Sequence, residues 1–110
     1  MAAIHPQLIK DCVLLGRFKL CHLLLMNDAN YPWFILVPDR DNISEIYQLT
    51  ETDQQQLWQE SALLAENLMQ IFRGDKMNIA ALGNMVPQCH VHHVVRYQQD
   101  PTWPAPIWGK

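Results

Sequence analysis

What this chain is short of narrows it first. It has three cysteines, Cys12, Cys21 and Cys89, and no CxxC pair. So odd and sparse a set makes neither a disulfide framework nor a zinc ribbon, and it suits a reducing compartment. Charge is scarce too: 17% of residues, with 8 basic against 11 acidic for a net of −3. There is no basic excess to neutralise a phosphate backbone, so a nucleic-acid polymer is not an expected partner. The longest apolar stretch, residues 20–26, is interrupted by His22 and falls far below the ~20 residues that cross a bilayer. Residues 1–10 hold His5, Pro6 and a single lysine without an apolar segment, which is not a secretory leader. Repeats and low-complexity stretches are absent. A cytoplasmic location with no membrane partner is expected.

What is present is enough for one compact domain. The 110 residues are 49% hydrophobic, sufficient for a core without staples. A single domain over residues 1–110 is expected, with its core at about 10–97 and a Pro/Trp-rich tail at 98–110. Residues 12–15 and 18–26 are apolar, with Gly16 between them. Leu23-Leu24-Leu25-Met26 reads as a buried strand, although leucines alone would permit a helix. Asn27 to Pro32 is a turn by composition, and Trp33 to Val37 a second strand closed by Pro38, giving an antiparallel hairpin. Residues 42–49 predict a short helical segment. Thr50, with an acid three residues on, predicts an N-cap. Leu57, Leu64, Leu68, Ile71 and Phe72 fall on one helical stripe, and Gly74 is the expected stop. Residues 76–82 read as a strand, Gly83-Asn84 as a turn, and residues 86–97 as a last long extended segment. Pro101, Pro104 and Pro106 exclude a helix interior or central strand from the tail. The fold class is α+β, a mainly antiparallel sheet with one long and one short helix.

Three of the five histidines sit in Gln88-Cys89-His90-Val91-His92-His93. In an extended segment alternate side chains share a face. Gln88, His90, His92 and Val94 therefore point one way, and Cys89, Val91, His93 and Val95 the other. His90 and His92 are then roughly 6–7 Å apart by two strand rises. A neutral imidazole can attack phosphorus and leave again, provided its other nitrogen is held in one tautomer. A second imidazole two residues on can donate to a phosphate oxygen or a leaving group. Two other readings stay open. Alternating polar residues can be a solvated strand face. HxH is also a common zinc pair, although the nearest further ligands, Cys89 and His93, face the wrong way. His93, His22 and His5 read most simply as structural.

The run Val86-Pro87-Gln88-Cys89-His90-Val91-His92-His93-Val94-Val95-Arg96 resembles the signature of the histidine-triad (HIT) superfamily, His-φ-His-φ-His-φ-φ with φ apolar. Asn78, Gly83-Asn84, Arg96-Tyr97 and the Pro/Trp-rich stretch at 100–109 extend the likeness to a bacterial subgroup over roughly residues 10–109. The resemblance implies a HIT-like sheet and homodimerisation through the long helix and adjacent strand. It also implies hydrolysis or transfer at the α-phosphate of a nucleoside phosphoramidate, dinucleotide or nucleotide ester. His90 would be the nucleophile, forming a nucleotidyl-histidine, with His92 and Gln88 in support. Asp28 or Asn27 would hold the ribose, and Asn78 and Asn84 would face the α-phosphate. The ligand would be a purine-nucleotide type. No resident cofactor is implied, a divalent metal entering only with substrate phosphates. The chain departs from the pattern in three ways. Gln88 stands at the first triad position, His93 replaces an apolar residue, and Trp33 occupies the place of the family's common fourth histidine. Loss of that histidine would weaken the hydrogen-bond chain behind the nucleophile. The alternative is a nucleotide-binding or scaffold protein with little catalysis. Trp103 and Trp108 would pack over the site or across a dimer interface.

Overall fold

The computed structural model describes residues 2–109, so Lys110 at the end of the tail lies outside it. Strands β1 (Cys12–Arg17), β2 (Cys21–Met26), β3 (Trp33–Pro38), β4 (Lys76–Ala80) and β5 (Val91–Arg96) form one sheet. Their order is β1-β2-β3-β5-β4, and every neighbour is antiparallel. Helices α1 (Pro6–Asp11) and α2 (Glu51–Phe72) complete an α+β fold, with a single 3₁₀ turn at Ile46–Gln48.

The expected hairpin is β2–β3, with Leu24 opposite Ile35. Residues 12–17 add a further edge strand, bulged between Leu14 and Gly16. Helix α2 starts as its sequence predicts: Thr50 Oγ1 accepts from the Asp53 N–H at 3.1 Å. It buries Leu57, Leu64 and Leu68, together with Glu60 and Ser61. Glu60 accepts from the N–H groups of Leu20 and Cys21 at 2.8 and 2.9 Å, which ties the β1–β2 turn to the helix. Ile71 keeps the stripe's azimuth yet is 70% exposed, because nothing among the described residues covers the last turn there.

Several boundaries differ from expectation for physical reasons. The left-handed helix stop is Arg73 (φ 51°), not Gly74. Gly74 is needed for space, since a Cβ there would lie 2.4 Å from Val95 Cγ1. The helical segment expected over 42–49 shrinks to the 3₁₀ turn. There the Gln48 side chain accepts from the N–H groups of Ser44 and Glu45. The long strand expected from residue 86 begins only at Val91. Pro87 has no N–H to give a ladder, and the Cys89 N–H donates to Ile43 O, outside the sheet. Strand β4 stops with it, at the Ala80–His92 pair. Helix α1, too short to leave a periodic trace, has Pro6 in its first turn, and His5 Nδ1 accepts from the Gln7 N–H.

The sheet has two apolar faces. Phe34, Leu36, Val91 and Val95 pack with the buried leucines of α2. Leu24, Ile35 and Val37 pack on the opposite side with Leu8 of α1, Trp33 and Val86. The tail closes over this second side through Arg96, which is 1% exposed. Its guanidinium donates to Asp100 at 2.8 and 3.0 Å, to Asn78 Oδ1 at 2.8 Å, to Thr102 Oγ1 at 3.1 Å and to Ala105 O at 2.9 Å.

Candidate active site

The alternation of β5 puts His92 on the tail side and His93 on the α2 side. His90 is the second residue before it in the extended approach to the strand. The rings of His90 and His92 meet edge to face with centroids 4.9 Å apart, closer than two strand rises because the side chains converge. His93 points away. Its Nε2 lies 2.6 Å from Ser61 Oγ on α2 and its Nδ1 lies 3.1 Å from Val91 O, both buried. It is a structural histidine, as its parity predicted.

Each ring has one nitrogen fixed. His90 Nδ1 is 2.6 Å from the Gln88 carbonyl oxygen. A carbonyl only accepts, so Nδ1 carries a proton, and in the neutral ring it is Nε2 that holds the lone pair. His92 Nδ1 accepts from the Trp33 indole N–H at 2.9 Å. Position 33, where loss of a histidine was expected to weaken the hydrogen-bond chain behind the nucleophile, instead supplies a donor to His92. Trp108 from the tail stands at 5.3 Å from His92 and 6.2 Å from Trp33, closing the back of the site. Burial, with the neighbouring His90 and His93, pushes the His92 imidazole down to about 4.

His90 lines a cleft of about 360 Å³ bounded by Ile46, Tyr47, Gln54, Leu82 and Gly83. Gly83 turns the cleft wall with φ at 78°. Among the described residues no lysine or arginine lines this cleft, and Glu45 does. A bound anion there would have to rely on imidazole and backbone N–H groups. Cys89 also lines it, but burial and Glu45 push its thiol up to about 11, which leaves it protonated near neutrality.

The remaining candidates separate. Gln88 keeps its carbonyl on His90, while its side chain is committed elsewhere: Oε1 accepts from the His5 N–H at 2.7 Å and Nε2 donates to Ala3 O at 2.9 Å. It pins the N-terminal segment and lines both the His90 cleft and a neighbouring one of about 540 Å³ with His5, Arg40, Asn42 and Ser44. Asn84 is exposed beside Gly83, on the loop that walls the His90 cleft. Asn78 is on the tail side, its Oδ1 taken by Arg96, in a groove with Leu82, Pro106 and Trp108. Among the described residues, Asp28 and Asn27 share no hydrogen bond and no cleft lining with His90 or His92. Asp28 accepts from the Asn30 N–H in the β2–β3 turn and lines a cleft with Leu25, Phe34 and Phe72, residues of the α2 side. Asn27 is exposed, and its N–H donates to Asp11 O. Sequence reasoning missed Trp33 as a donor and Tyr47, Gln54 and Leu82 as cleft walls. Trp33 could have been found from the β3–β5 register, which sets it two pairs from the Ile35–His92 pair and so on the same face.

A family model described as HIT domain matches residues 7–99. Three solved structures resemble the whole chain. A histidine triad protein from Marinobacter aquaeolei VT8 is 56% identical at a TM-score of 0.96, covering 98% of this chain and 79% of its own. One from Bradyrhizobium japonicum is 45% identical at 0.96, covering 97% and 80%. One from Sinorhizobium meliloti 1021 is 44% identical at 0.96, covering 97% and 79%. No curated protein matches.

Proposed function

Because this chain belongs to the HIT family, a family of nucleotide-processing hydrolases and transferases, we propose that it hydrolyses or transfers a nucleotidyl group through His90. The observation that carries this reading is the His90 tautomer. With Nδ1–H held on the Gln88 carbonyl, the Nε2 lone pair is free to attack the α-phosphorus of a nucleoside phosphoramidate, dinucleotide or nucleotide ester. An N–P bond forms as the bond to the leaving group breaks, and the leaving group takes a proton from solvent. Water then attacks phosphorus, the N–P bond breaks, and the mononucleotide departs with His90 restored. The His92 Nε2–H and the backbone N–H groups of the loop at Gly83 would hold the phosphoryl oxygens as they gain charge. The purine ring would lie among Ile46, Tyr47 and Leu82 of the cleft.

The homodimer belongs to the same proposal. Strand β4 is a sheet edge carrying Ile79 at 44% exposure, and α2 leaves Trp58 and Leu63 uncovered. Sedimentation at micromolar concentration should give twice the chain mass.

The chemical test is direct. Brief incubation with a panel of nucleotide substrates, followed by peptide mass spectrometry, should place a nucleotidyl adduct on His90. His90→Ala should lose that adduct and lower turnover by at least about a thousandfold. Turnover of nucleoside phosphoramidates by His90→Ala at the parent rate would end the proposal. One observation favours the second reading, a binder with little catalysis: the Gln88 side chain is withdrawn to Ala3 and His5. Calorimetric binding of adenosine monophosphate without turnover of any panel member would select it.

A further inference from the structure

We propose that Trp33 is a positioning residue that locks the His92 proton onto Nε2 and so keeps His92 an uncharged hydrogen-bond donor beside His90. The inference rests on the nucleotidyl-transfer reading for its consequence, though not for its geometry. An indole nitrogen only donates and does not titrate. At 2.9 Å from His92 Nδ1 it obliges that nitrogen to present a lone pair, which leaves the ring's one proton on Nε2. Trp33 cannot turn away easily. It starts strand β3, which is paired on both sides, its ring packs with the Leu24–Ile35 cluster, and Trp108 stands edge-on to it at 86°.

A cationic His92 would have to bring a second N–H against the indole N–H, losing the bond and adding repulsion. Among the described residues nothing around the ring compensates. His90 faces it directly, and His93 is its chain neighbour with the ring turned to α2. From β3 and the tail it meets Trp33 and Trp108, and β4 places Ala80 opposite. The acid nearest in the chain, Asp100, is engaged by Arg96. A histidine at position 33, as in the related pattern, could donate or accept and could itself take a proton. Tryptophan removes that freedom. His90 is then the imidazole that takes the covalent bond, while His92 stays a neutral donor throughout turnover. His92 can hold a phosphoryl oxygen but cannot act as a strong acid. The site therefore suits nucleotidyl substrates whose leaving group departs as a stabilised anion better than those whose leaving nitrogen must be protonated.

The test reads the tautomer first. Long-range ¹H–¹⁵N spectra of the uniformly labelled full chain at pH 7 should show His92 as the neutral Nε2–H form. In Trp33→Phe, checked for fold by its backbone amide spectrum, His92 should become a mixture of tautomers. Trp33→His, the variant that restores a ring nitrogen, keeps the protein testable if Phe packs poorly. It should return a partner to Nδ1 while adding a titration near neutral pH that the parent lacks. On whichever nucleotide substrate the parent turns over, Trp33→Phe should lower kcat by about 10- to 100-fold with KM little changed, less than the 10²–10³ lost with an oxyanion donor itself. Trp33→His should add a limb to the pH–rate profile. A parent His92 that is Nδ1–H or cationic at pH 7 overturns the proposal, as does an unaltered tautomer in Trp33→Phe. If no substrate is turned over, the function above fails while the spectra still decide the role of Trp33.

Discussion

At the scale of single residues the two inner histidines make the protein sensitive to acid. Burial pushes His93 down to about 4 from an ordinary 6.5, despite its bond to Val91 O, and His92 falls equally far. Folded, both rings stay neutral between pH 6.5 and 4, whereas unfolded they would bind protons. The unfolded chain therefore takes up more protons in that window, and stability falls as pH drops through it. The slope should approach about 1.4 kcal/mol per pH unit for each ring. Urea unfolding at pH 7, 6 and 5 should give a steadily lower midpoint. Replacing His93 by Gln should flatten part of the slope, and a midpoint unchanged from pH 7 to 5 would count against the neutral assignment. The residue scale also marks what sequence could reveal of the site. The shared face of His90 and His92, and the opposite face of His93, follow from the twofold alternation of extended chain. The donor role of Trp33 does not, because it depends on which β3 residue lies beside His92. That Asp28 lines a cleft different from that of His90 does not either, because it depends on which side of the sheet the turn leans toward.

Among elements, α2 was the most legible, since capping by Thr50 and the spacing of Leu57, Leu64 and Leu68 are local properties. Its end was less so. Gly74 looks like a helix stop, yet Arg73 takes the left-handed turn and Gly74 lets Val95 and Met69 approach. The two roles make opposite predictions. Gly74→Ala should destabilise by about 1–3 kcal/mol, because the methyl meets a β5 side chain at 2.4 Å with little room to yield. Arg73→Gly should be neutral or stabilising, because it relieves a non-glycine φ of 51°. Denaturant midpoints of the two variants decide this, and equal losses would refute it. Short elements escaped for a related reason. Helix α1 depends on His5 and Leu8 finding partners far along the chain, and the early stop of β4 depends on where β5 begins.

For the molecule as a whole, Arg96 makes most of the tail's polar ties to the sheet, beside the Tyr31–Thr102 contact and the packing of Trp108. Arg96 joins Asn78 on β4 to Asp100, Thr102 and Ala105 and lies between the rings of Tyr31 and Trp103. Removing its side chain would leave the Asp100 carboxylate, 3% exposed in its side chain, without its counter-charge and with only the N–H groups of Tyr97, Thr102 and Trp103. Arg96→Ala should therefore cost about 3–5 kcal/mol, and protease should cut within residues 98–109 before it cuts the sheet. Uniform cleavage of tail and sheet would show the tail to be no separable unit. The tail also carries one of the two indoles that flank His92. The chain thus holds its own optical label against the proposed reacting centre: a nucleotide entering beside His90, or an adduct forming on it, changes the surroundings of Trp33 and Trp108 and with them the colour and yield of the emitted light. Occupancy of the cleft becomes readable in a cuvette, without a dye and without waiting for product.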